Sequence, residues 1–134
     1  MILLVVQGDK STINPTNPEP QVIAEAIAAF QHNNRKRADS GLPDLDMMTI
    51  SCITMVRAKP FFYQVPVTSQ LSDCVISGQY PLQPTVVRLC APPSRRRMFE
   101  GMEFPDDRRI ALQYYNAFQD LAKTSWIKFI DGCV

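Results

Sequence analysis

The sequence predicts one α+β domain spanning residues 1–134, with the element order β-α-β-β-α-β-α. Three observations carry this reading. The apolar periodicity switches between the helical and the strand spacing along the chain. Clustered prolines and lone glycines punctuate the switches. The length of 134 residues and mass of 15.2 kDa suit one core and are short for two.

Residues 2–7 are a continuous Leu- and Val-rich run, which predicts a strand buried on both faces. Residues 8–20 are turn formers throughout and predict a surface loop. A first helix is expected over about residues 20–38. Pro20 suits its first turn and Glu19 suits its N-terminal dipole. Val22, Ile23, Ala26, Ile27 and Phe30 form its inner stripe, and Gly41 and Pro43 stop it.

Residues 47–57 and 61–67 predict a β-hairpin. Met48, Ile50, Cys52, Thr54 and Val56 share one face of its first strand, and Phe61, Tyr63, Val65 and Val67 share one face of its second. Pro66 implies that the second strand lies at an edge or is bulged near its end. Thr68 or Ser69 caps a short helix over about 69–77, with Leu71, Cys74 and Val75 inward and Gly78 as its stop. Residues 85–90 predict a strand and 91–105 a loop. The last helix begins at Pro105-Asp106-Asp107 and runs to about Ile130, with an apolar stripe at helical period.

The first six elements follow the ferredoxin-like β-α-β-β-α-β order, with a long C-terminal helix added. That arrangement puts two helices on one face of an antiparallel sheet. The other face then needs a cover: the C-terminal helix, a second copy of the chain, or a ligand.

Fourteen basic and thirteen acidic residues leave a net charge of +1, so global charge does not point to nucleic acid or an acidic membrane. The opening apolar run stops at Gln7-Gly8 and lacks a basic flank, and no apolar run reaches the ~18 residues of a membrane span. A cytoplasmic or nuclear location is expected, with no membrane partner. Cys52, Cys74, Cys90 and Cys133 contain no CxxC pair, and most fall in apolar elements. Free thiols are therefore expected and no structural zinc.

Catalytic sets are sparse. His32 is the one histidine, among Gln31, Asn33 and Asn34 at the end of the first helix. Five isolated glycines cannot build a phosphate cradle, and no nucleophile elbow is present. Asp44 and Asp46 precede a strand, as in some metal nucleases. Gln64 and Pro66 stand where the second acid and the lysine would be needed, so a solvated turn is the simpler reading. No metal and no cofactor are expected.

The basic clusters Arg35-Lys36-Arg37 and Arg95-Arg96-Arg97 are candidate binding groups, because guanidinium forks hold carboxylates and phosphates in pairs of hydrogen bonds. Arg108-Arg109 form a third cluster, and nearby acids balance all three. RNA-recognition domains share the six-element order and stack bases on third-strand aromatics. Lys59, Phe61 and Tyr63 fit that pattern, whereas Pro60, Phe62 and Gln64 depart from it and the first strand has no aromatic. Tyr114, Tyr115, Phe118 and Trp126 on the last helix are candidates for an interface, including a homodimer contact.

The leading expectation is a small non-enzymatic domain that binds a protein partner or itself. One alternative is a small dimeric α/β-barrel-type enzyme binding an apolar small molecule, with His32, Tyr63 and Asp46 as candidates. The other is an RNA or single-stranded nucleic-acid module using Phe61 and Tyr63.

Overall fold

Strict period-two alternation in the hairpin strands determines which side chains meet which layer. The structure, a computed structural model, describes residues 1–8, 17–93 and 101–130. Its elements are β1 (Leu4–Gly8), α1 (Glu19–Asp39), β2 (Met47–Val56), β3 (Lys59–Thr68), α2 (Ser69–Ser77), β4 (Arg88–Cys90) and α3 (Pro105–Ile130). β2 and β3 pair antiparallel along their whole length, with Ile50 opposite Val65, Cys52 opposite Tyr63 and Ile53 opposite Phe62. Arg57 turns the hairpin at a positive φ of 54°, the left-handed region that non-glycine residues seldom adopt.

The sheet order is β1-β2-β3-β4, with β1 parallel to β2 and both other pairs antiparallel. This corrects the expected ferredoxin-like arrangement, in which β1 lies inside an antiparallel sheet. Here β1 is an edge strand joined to β2 by the α1 crossover. Element order along a chain specifies neither which strands become neighbours nor their direction. The run at residues 2–7 is likewise not buried on both faces. Burial alternates along β1, and Val6 is 67% exposed.

One face of the sheet carries Met48, Ile50, Cys52, Tyr63, Val65 and Val67, all buried against Val22, Ala26, Ile27, Ala29 and Phe30 of α1. α2 lies beside α1, and Gln31 Nε2 donates to Ser72 Oγ at 3.1 Å. Thr68 caps α2 by accepting from the Leu71 N–H at 3.1 Å, and Gly78 ends it with a left-handed φ of 69°.

The opposite face holds a smaller apolar cluster. Ile53 and Phe62 from the sheet meet Phe118 of α3, with Tyr114 and Tyr115 at its margin. The Phe62 ring lies 5.0 Å from both Tyr115 (edge-on) and Phe118 (tilted), geometries that aromatic quadrupoles favour. The approach to α3 is fixed at the hairpin turn, where the Met102 N–H donates to the Ala58 carbonyl at 2.8 Å. Thus Phe118 of the C-terminal helix covers this second face at Ile53 and Phe62, near the hairpin turn, and Phe129 further along the helix packs against the first cluster.

β4 is three residues long, shorter than the 85–90 run expected to form it. It pairs with β3 only from Phe62 to Gln64. Residues 84–87 leave the ladder, and Pro66, which has no N–H to donate, lies in the stretch of β3 that they leave unpaired.

Candidate functional site

Beyond the end of α3's cover, the second face of the sheet opens into a groove. Its floor is made of side chains two residues apart on adjacent strands: Met47 and Thr49 from β2, and Gln64, Pro66 and Thr68 from β3. Its far wall is the chain that has left the ladder (Pro84, Thr85 and Val86), closed at one end by Arg88 of β4. The cavity measures about 430 Å³, within the range of roughly 300–1,000 Å³ usual for ligand clefts.

The groove combines apolar walls with unengaged polar groups. Val86 is 72% exposed and Met47 55% exposed, and the prolines add rigid apolar surface. Arg88 stands opposite Gln64 in the β3–β4 register, so both side chains lie on the groove face. The side chains of Thr49, Gln64, Thr85 and Arg88 make no hydrogen bond or ion pair with any described residue. The Thr68 hydroxyl accepts from Leu71 and keeps its own hydrogen free to donate. Among the described lining residues, Arg88 alone carries charge. The site can therefore hold an anion through a guanidinium fork and hydrogen-bond polar groups along its floor. Among the described lining residues there is no acid, histidine or cysteine to serve as a base or nucleophile.

The structure places the residues singled out in the sequence as follows. Arg95, Arg96 and Arg97 lie outside the described residues. Arg35 and Lys36 are exposed at the end of α1, whereas Arg37 is half-buried and its Nε donates to the Pro43 carbonyl at 2.8 Å. That bond and the C-terminal helix dipole account for their position in the fold. Phe61 and Tyr63 face α1: Tyr63 is buried and Phe61 packs against the same cluster. Burial and the Glu19 carboxylate push the Tyr63 hydroxyl above its ordinary pKa. Lys59 stands 5.7 Å from the Phe61 ring centroid, a cation–π contact. An open stacking platform does not form from these two rings.

On α3, Phe118 is buried and Tyr115 half-buried against Phe62 and Ile53, and the Tyr115 hydroxyl donates to Met55 Sδ at 3.4 Å. Trp126 is half-buried, and its Nε1 is buried without a hydrogen-bond partner. Phe118 and Tyr115 join α3 to the chain's own sheet. His32 is half-buried, while Asp44 and Asp46 are exposed in the turn before β2. Among the described residues no group of three His, Cys, Asp or Glu side chains is placed to hold a metal, and no helix is long and apolar enough to cross a membrane.

None of the groove residues was singled out from the sequence as a binding residue, although a signal was present. Thr49, Gln64 and Thr68 put polar groups on the hairpin face opposite the apolar one, and Arg88 interrupts the apolar run Val86-Val87-Arg88-Leu89. No protein-family model, curated protein or solved structure matches this chain.

Proposed function

We propose that the chain is a non-enzymatic protein-interaction domain that receives its partner in the groove between β3 and the 84–88 segment. The observation that carries this reading is the half-covered sheet face: α3 seals one end, and the other remains a cleft with unpartnered donors and acceptors. The surface leading to the cleft is apolar as well. Tyr80 is 96% and Leu82 91% exposed in the connection between α2 and β4, a few residues before Pro84 of the groove wall. Large apolar and aromatic side chains left in water beside a cleft are the usual material of a partner contact.

The groove's chemistry supports recognition. Threonine hydroxyls, a carboxamide and one guanidinium orient a ligand through hydrogen bonds. The test is co-purification of partners with the wild-type chain and with Val86→Asp, which places a charge in the apolar wall without touching either core cluster. Loss of partners at an unchanged melting temperature is the expected result. Equal recovery with both chains argues against the groove as the binding site.

A further inference from the structure

We infer that the occupant of the groove is an extended segment of a protein partner bearing an acidic side chain, whose carboxylate docks on Arg88. This rests on the interaction reading above and adds the chemistry of the partner. Two observations carry it. First, the groove is a track aligned with the strands. Gln64, Pro66 and Thr68 follow each other at two-residue intervals along β3, with Thr49 and Met47 beside the last two on β2. From Gln64 to Thr68 the floor runs for four residue steps, about 13 Å at the rise of a strand. An extended chain presents every second side chain to one face with the same repeat, so its side chains fall in step with the floor.

Second, the charge sits at one end of that track. Arg88 lies level with Gln64, is exposed, and has neither an ion pair nor a hydrogen bond among the described residues. A carboxylate there receives two parallel N–H bonds from the guanidinium. The apolar side chains that follow it along the segment meet Pro66, Val86 and Met47.

The test uses the full chain against a positional-scanning library of N-acetylated, C-amidated heptapeptides, which removes terminal charges. The wild type is expected to select Asp or Glu at one fixed position with apolar residues on one side of it. Arg88→Gln is expected to weaken the best peptide about tenfold or more and abolish the acid preference. Arg88→Glu is expected to select Lys or Arg at the same position. Circular dichroism and the melting temperature establish that each variant is folded.

Three results overturn the inference: no peptide bound by the wild type, no acid preference, or an acid preference that survives Arg88→Gln. Glutarate binding as tightly as the best peptide also overturns it, since a small carboxylate is then the ligand. Val86→Asp separates docking in the groove from the acid preference. Peptides bound without an acid preference but lost in Val86→Asp leave the interaction reading standing and remove this one. Peptides indifferent to both substitutions remove both.

Discussion

Asn33 holds both backbone groups of Ile2: the Ile2 N–H donates to Asn33 Oδ1 at 2.6 Å, and Asn33 Nδ2 donates to the Ile2 carbonyl at 2.8 Å. The side chain is 1% exposed, and Nδ2 also reaches Met48 Sδ at 3.4 Å. A helix residue thus takes the place of a neighbouring strand for the chain entering β1. Asn34 does the same for Leu45 on the approach to β2, accepting from its N–H at 2.9 Å and donating to its carbonyl at 3.2 Å. The two adjacent amides tie α1 to the starts of both parallel strands.

Asn33→Leu keeps the branching at Cγ and the number of heavy atoms but leaves the Ile2 N–H and carbonyl without their partner. Each buried unsatisfied group costs about 1–3 kcal/mol, so a loss of roughly 2–6 kcal/mol is expected. Urea unfolding measures it, and amide exchange is expected to show β1 opening first. An unchanged midpoint would mean that water replaces the amide at no cost.

Gly101 is needed for a close approach. A Cβ there would lie 2.6 Å from the Ala58 carbonyl oxygen and 3.2 Å from Lys59 Cα, both backbone atoms that cannot turn aside. Gly101→Ala is expected to destabilise by about 1–3 kcal/mol, as overpacking does, and to loosen the first turns of α3. Gly8→Ala is the control, because a Cβ at Gly8 meets nothing within 4 Å. Melting temperatures of the two variants separate the cases.

Burial, with a smaller contribution from the Glu25 carboxylate, pushes the Cys52 thiol up to about 12 from its ordinary 9.0. Burial likewise raises the Tyr115 hydroxyl, and burial together with Glu19 raises Tyr63. In each case the fold favours the protonated form, so the unfolded chain releases protons first as pH rises. Stability is therefore full below pH 9 and declines towards pH 12, by at most about 1.4 kcal/mol per pH unit for each such group. Denaturant midpoints from pH 7 to 11 check the sign. At pH 8, exposed Cys90 is expected to be alkylated rapidly and buried Cys52 only on unfolding.

Local signals were legible in the sequence wherever periodicity and capping agree. The Thr68 cap, the Gly78 stop, the Pro105-Asp106-Asp107 start and the Met48/Tyr63 core face all reflect side chains acting on their own neighbourhood. The parallel pairing of β1 with β2 was not legible, because nothing within residues 2–7 specifies a neighbour. Asn33 read as part of a polar patch around His32, since its partner is thirty-one residues away. The same limit applies to the groove. Thr49, Gln64 and Arg88 are unremarkable one at a time and gain meaning only when register aligns them and α3 stops short of covering them.

A photo-crosslinking residue at Thr85, on the groove wall, reports docking in the groove when compared with the same residue at Gln113, exposed on α3. With the protein expressed in its own cells, cross-links to a partner are expected from position 85 and not from 113. They are expected to disappear when Val86→Asp is added. Cross-links from 113 alone, or from 85 with no response to Val86→Asp, would contradict the groove as the docking site.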